Sequence, residues 1–217
     1  MDLANNYIEG DICMFQKKVT EKGLAALLLF SVMVSVIGGS SIANAAGKEK
    51  YKSSYLQFVK QQQKNSQKKL CYAIINASDG KMPVLLVARA DFCVKGGKEG
   101  AVQASVYSYS DGKVVHITEM QSTGSGYPLL KKDKYIISGW HHSSQRLMVS
   151  GAKGYMDTVD GFGIDGGKCH KKSWVVVNGK KQDVTSKVIS EKKAAALDYY
   201  LNASEHGGKT IVFKKVK

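Results

Sequence analysis

The apolar positions of this chain change period twice. From Leu24 to Ile37, fourteen residues carry no charge. Between Lys50 and Lys64 the apolar residues Tyr51, Tyr55, Phe58 and Val59 fall on one helical face, with lysine and glutamine opposite. A helix is therefore predicted over about Lys50 to Lys64. From Leu70 onward the period drops to two. Leu70–Ile75, Val84–Ala88, Ala101–Tyr109, Val114–Thr118, Tyr135–Trp140, Arg146–Ser150, Ser173–Val177 and Gln182–Thr185 read as strands. Asp111-Gly112 and Asn178-Gly179 are two-residue turns of the kind that close antiparallel hairpins. Turn centres near residues 80, 112, 144 and 179 predict a β-meander of successive hairpins. Leu197, Tyr200 and Leu201 then share a helical face within an alanine-rich segment starting at Ser190. Gly207-Gly208 ends that helix, and Thr210–Phe213 gives a last strand. The fold class expected is α+β, a twisted antiparallel sheet with one helix before it and one near the C-terminus.

The uncharged run at Leu24–Ile37 follows Lys17, Lys18 and Lys22 and precedes Gly38-Gly39-Ser40-Ser41. A basic flank, a short apolar stretch and the small residues Ala43 and Ala45 form the pattern of a secretory signal peptide cleaved after Ala45. A membrane span would need about 20 apolar residues. Residues 1–45 are therefore expected to be a signal peptide and 46–217 a single secreted domain, extracellular, with no membrane anchor after cleavage. Asp2, Glu9 and Asp11 do not suit the start of such a signal, whereas a chain begun at Met14 does. Residues 1–13 are accordingly expected to precede the true start.

Charge narrows the partners. The net charge is +14, and loss of residues 1–45 removes three lysines and four carboxylates, raising it to +15. Such a field attracts anionic polymers. Arg89 and Arg146 are the only arginines. Arginine is the usual reader of guanine edges and of phosphate by paired bonds, so sequence-specific nucleic-acid binding is not expected. The lysines are dispersed in pairs such as Lys131-Lys132, Lys171-Lys172, Lys180-Lys181 and Lys214-Lys215. Anionic cell-wall polymer or glycan is the expected partner class. Of the four cysteines, Cys71, Cys93 and Cys169 remain after residue 45. Three single bridges are possible among them; Cys71 suits a buried strand, and a Cys93–Cys169 bridge is conceivable.

The order of parts resembles a largely uncharacterised class of secreted Gram-positive bacterial proteins. The likeness rests on the aromatic helix Tyr51–Val59, the strand–loop–strand Tyr72–Val87, and Val175–Lys181 with the helix after it. It implies export and this architecture, and no reaction. The class carries a D-x-D-G-D-G-like loop suited to calcium. Here Asn76-Ala77-Ser78-Asp79-Gly80-Lys81 keeps one carboxylate with a lysine beside it.

Three sets of residues could carry chemistry. Asp157, Asp160 and Asp165, in DTVDGFGID, form the densest acidic cluster and could hold calcium, though a polar turn between strands is the preferred reading of them. Cys169 with His170, or with His141 or His142, could form the thiol–imidazole pair of a small hydrolase. His141 and His142 beside Trp140 and Tyr135 could instead line a sugar-binding surface. The leading expectation is a non-enzymatic extracellular binding protein near the cell envelope. The alternatives are a Cys/His hydrolase and a calcium-stabilised structural module.

Overall fold

The computed structural model describes residues 43–217, apart from residues 80, 81, 124–126 and 165, with side chains from Lys50 onward. The signal-peptide and start-site expectations lie outside the described residues, except that Ala43 and Ala45 fall at the beginning of the first helix.

That helix, α1, spans Ala43–Asn65. Among the described residues twelve strands follow in two sheets. The first contains β1 (Leu70–Ile75), β2 (Val84–Arg89), β3 (Gln103–Ser110), β4 (Lys113–Gln121) and the C-terminal β12 (Lys214–Lys215), in the order β12-β1-β2-β3-β4. The second contains β5 (Leu130–Lys132), β6 (Tyr135–Trp140), β7 (Ser143–Ser150), β8 (Lys153–Asp160), β9 (Cys169–Val177), β10 (Lys180–Ile189) and β11 (Lys209–Thr210). Its order is β10-β9-β8-β7-β6-β5-β11. Every named strand pair is antiparallel. The protein is thus α+β with successive hairpins, a helix before the sheets and helical turns near the end.

Strand alternation dictates the layers. In β1 and β2, Cys71, Ala73, Val84, Leu86 and Ala88 point one way, and Leu70, Leu85 and Val87 the other. The first set meets Ile136, Leu147, Val149, Met156 and Val176 of the second sheet in one central apolar layer. The second set is covered by Tyr55 and Val59 of α1. The buried Tyr55 phenol donates to the Pro83 carbonyl at 2.8 Å, which fixes the helix over the β1–β2 connection. Across the molecule, α2 (Glu191–Ala196) and α3 (Tyr199–Glu205) cover the outer face of the second sheet through Ala194, Tyr199 and Ala203. The order of layers is helix, sheet, sheet, helices.

The C-terminal segment ties the sheets together. Thr210 pairs with Leu130 in one sheet and Lys214 with Tyr72 in the other. Between them Ile211 and Phe213 enter the central layer. Phe213 N–H donates to the Gly97 carbonyl at 3.0 Å. Gly97 has φ +93°, and a Cβ there would lie 2.7 Å from Phe213 O, so only glycine lets the two segments touch.

Four features depart from the sequence reading. The meander is divided between two stacked sheets. The helix after Ser190 is broken at Leu197-Asp198 into α2 and α3. The last apolar run contributes two short edge pairings, with its apolar residues between them. Lastly, Lys153–Asp160, where no strand is expected from sequence, forms β8, so the polar turn expected at Asp157 and Asp160 begins only at Gly161. Physical cover for β8 comes from its neighbours, because β7 and β9 pair with it along its whole length.

Close approach of the sheets depends on Gly154. A Cβ there would lie 2.7 Å from Ile117 Cγ2 and 3.0 Å from Leu147 Cδ1. Gly154→Val should therefore overpack the central layer and cost about 1–3 kcal/mol. Urea unfolding reads this as a lower midpoint at unchanged slope.

Candidate functional site

The outer face of the second sheet carries a row of residues set by register. Ile137 lies opposite Arg146, Arg146 opposite Asp157, and Asp157 opposite Ser173. Arg146 Nε donates to Asp157 Oδ2 at 2.9 Å, and Nη2 lies 2.8 Å from the same oxygen. Ser173 Oγ donates to Asp157 Oδ1 at 2.7 Å. Both carboxylate oxygens are thus engaged.

Two tyrosine rings lie against the guanidinium. Arg146 Cζ lies 4.5 Å from the Tyr135 ring centroid and 4.6 Å from that of Tyr199. Such contacts draw the cation to the ring faces and fix its orientation. Tyr135 comes from β6, and Tyr199 opens α3. The latter is placed by a chain of local bonds. Asp198 caps α3 by accepting from the N–H groups of Tyr200 and Leu201, which restarts the helix after the break. Tyr199 N–H donates to the buried Ser144 Oγ at 2.8 Å, anchoring the helix start on β7. Tyr200 packs over Gly139, where a Cβ would lie 2.7 Å from its Cβ and Cγ, and its phenol donates to the Pro128 carbonyl.

Between this helix and the β5–β6 hairpin lies a cleft of about 280 Å³, lined by Lys132, Tyr135, Arg146, Leu197, Tyr199 and Asn202 among others. Lys132 Nζ donates to the Asn202 carbonyl at 3.4 Å, across the rim. Burial works against the Arg146 charge, but the hydrogen bond it donates to Asp157 and the surrounding groups outweigh it and raise its pKa above the ordinary value. The guanidinium therefore stays charged. The Tyr199 phenol is pushed up to about 12, first by burial and then by the Asp157 carboxylate. Its hydroxyl is buried and has no hydrogen-bond partner among the described residues.

The residues singled out from sequence are more scattered. Asp157 and Asp160 are three apart on β8 and project to opposite faces. Asp157 engages Arg146, whereas Asp160 accepts from Lys172 Nζ at 2.7 Å. Asp165 lies outside the described residues. No three of His, Cys, Asp and Glu come together among the described residues. Cys169 is buried, and its thiol donates to the Gly161 carbonyl at 3.4 Å. His170, next to it on β9, projects from the other face. His141 and His142 occupy the tip of the β6–β7 hairpin, both exposed, with ring centroids 6.2 Å apart. His142 Nδ1 lies 2.9 Å from the Phe162 carbonyl. No thiol–imidazole contact is formed among the described residues. Trp140 and Tyr135 are five apart on β6 and face opposite sides, so they do not join in one sugar-binding surface. The loop at Asp79 docks on the second sheet: Asp79 N–H donates to the Val149 carbonyl, and Ser150 Oγ donates to the Asp79 carboxylate at 2.6 Å.

Sequence reading noticed Arg146 for its rarity and Tyr135 for its ring, but not Tyr199 or Lys132 as their companions. The available signal was a lone arginine in an otherwise alternating strand. Comparison with protein-family models, with curated proteins and with solved structures gives no match. The chemistry of this cleft has to be read from its own side chains.

Raised tyrosine pKa values carry a stability consequence. A phenol that ionises at about 10 when unfolded but at about 12 in place at Tyr199 and Tyr200 holds its stabilisation below pH 10 and loses it as pH rises toward 12. Tyr199→Phe should flatten the fall in urea midpoint between pH 9.5 and 11.5 relative to wild type, as about one fewer proton is then linked to unfolding. At pH 7 the same substitution removes an unpartnered hydroxyl and should change stability by less than about 1 kcal/mol.

Proposed function

We propose that this protein is a non-enzymatic binding protein of the extracellular face, and that it takes acidic groups of an envelope polymer or glycan into the cleft at Arg146. The observation that carries this reading is the Tyr135–Arg146–Tyr199 stack on the wall of an open cleft with Lys132 at its rim. A guanidinium held against two aromatic rings and bonded to a carboxylate through Nε and Nη2 is restrained in orientation, which leaves Nη1 for a ligand. Arg146 Nη1 has no partner among the described residues. Fixed donors of this kind recognise carboxylate or phosphate with little ordering cost.

The rest of the molecule supports the same partner. A net charge of +14 gives long-range attraction to polyanions and speeds their capture. The outward lysines of β9 and β10, including Lys171, Lys180 and Lys187, add a broad basic surface beyond the cleft. The uncharged run at Leu24–Ile37 with its alanine site supports export, as does the resemblance to secreted Gram-positive proteins. No described helix is long and apolar enough to cross a membrane.

Co-sedimentation of the chain with isolated Gram-positive cell walls across a salt series tests the reading. Binding should fall steeply with salt. Lys132→Ala should weaken it roughly fivefold at low salt, the effect of one charge-assisted contact. Arg146→Lys, which keeps the charge but loses the planar stack, should weaken it at least as much. No binding at low salt would overturn the function. Binding untouched by both substitutions would remove the cleft from it.

A further inference from the structure

Cys71 and Cys93 belong to different parts of the chain, but the fold brings them to one place. Cys71 lies on β1, wholly buried, with its side chain in the central layer. It stands opposite Ala88 on β2, one residue before the strand ends at Arg89. The chain then makes a single turn of 3-10 helix over Ala90–Phe92. Ala90 N–H donates to the Lys69 carbonyl at 2.8 Å, which keeps this turn against the start of β1. Cys93 N–H donates back to the Ala90 carbonyl at 3.2 Å, and the chain re-enters toward the layer it has just left. The Cys93 side chain packs on the same apolar cluster as Cys71. Its thiol donates to the Arg89 carbonyl at 3.4 Å, on the residue that pairs with Leu70, the neighbour of Cys71. Cys169 sits elsewhere, on the outer face of the second sheet with Ala194 and Tyr199. The Cys93–Cys169 bridge that spacing allows is therefore not the one the fold favours.

We infer that Cys71 and Cys93 form a structural disulfide when the protein meets an oxidising disulfide, and that Cys169 remains the free thiol. Cys93 is only partly buried, so it is the sulfur an oxidant reaches first. Its thiolate attacks a low-molecular-weight disulfide or an oxidised dithiol protein, forming a mixed disulfide and releasing one thiolate. The Cys71 thiolate then attacks Cys93 Sγ, and the second half of the oxidant leaves as a thiolate. Two electrons and two protons pass from the cysteines to the oxidant, and one S–S bond replaces two S–H bonds. Burial and the neighbouring Cys71 push the Cys93 thiol up to about 12. Little thiolate is present at neutral pH, so closure is slow, as befits a structural pair and not a catalytic dithiol. The bond would clip the 3-10 turn to β1 at the place where the C-terminal β12 also joins that strand.

Peptide mapping of the folded full-length chain decides the matter. The chain is incubated with oxidised glutathione, free thiols are alkylated, and trypsin is added without reductant. Cleavage after Lys69, Lys81, Arg89 and Lys95 isolates residues 70–81 and 90–95, one cysteine in each. The expected product is a species joining these two peptides that is lighter than their sum by two hydrogens and disappears on reduction, with the Cys169 peptide recovered alkylated. Recovery of both peptides separately alkylated would overturn the inference, as would a link from Cys93 to Cys169 or Cys13. The same treatment in concentrated urea is the control: there the preference for the Cys71–Cys93 product should fall at least severalfold, because it comes from the fold. An equal yield in urea would show that chain proximity alone makes the bond, and would also overturn it.

Discussion

The apolar layer shared by the two sheets is the contact on which the rest of the structure depends. It gathers Leu86, Val106, Ile117, Met120, Leu129, Ile136, Leu147, Val149 and Phe213, all with almost no exposure. A strand has two faces, so packing sheet on sheet satisfies only one face of each. The central strand β2 is apolar on both, and its second face must also be covered. That obligation recruits α1, and the outer apolar positions of the second sheet, Leu130, Ile137 and Val159, recruit α2 with α3 in the same way. Once α3 is held against β6 and β7, a cleft opens between it and the β5–β6 hairpin. The site is thus a by-product of how the second sheet closes its outer face.

The polar content of β8 is tolerated because register supplies each charge with a partner. Asp157 has Arg146 on one neighbouring strand and Ser173 on the other. Asp160 has Lys172 on the opposite face. Removing one member of either pair would leave its partner part-buried with its charge unmatched, which costs more than the pair itself contributes. The same pairing orients Arg146, so an arrangement that serves folding also sets the direction in which the guanidinium can act.

Much of this was legible in the chain and some was not. Strands β1 and β6 coincide with their apolar runs, and Asp111-Gly112 and Asn178-Gly179 turn where their φ preferences require, with Asp111 at +52° and Asn178 at +50°. Those signals are local. No strand is assigned to β8 from sequence, because Asp157, Thr158 and Asp160 look like loop residues until the cross-strand partners are known. The break between α2 and α3 could be inferred from Leu197-Asp198 only by recognising Asp198 as a second helix cap. The stack at Arg146 needs three segments, at residues 135, 146 and 199, and no periodicity links the last to the others. The division into two sheets was hidden for a related reason. A hairpin looks the same in sequence whether its next neighbour lies beside it or across an apolar layer.

The way Arg146 is held bears on what kind of binding suits this cleft. Asp157 already offsets part of its charge, so a ligand's acidic group competes with a carboxylate that never leaves. That competition lowers affinity at any one cleft, and it also prevents a bare buried cation when the cleft is empty. Weak recognition of a single group becomes useful when the partner repeats that group many times, since a released unit is replaced by its neighbour on the same polymer. Under the proposed function the dispersed lysines would supply the attraction that brings the polymer near, and the arginine held between Asp157 and two tyrosine rings would supply orientation. A repeating polyanion would draw on both features of this molecule together, whereas a small isolated anion would gain little from the lysine field once bound.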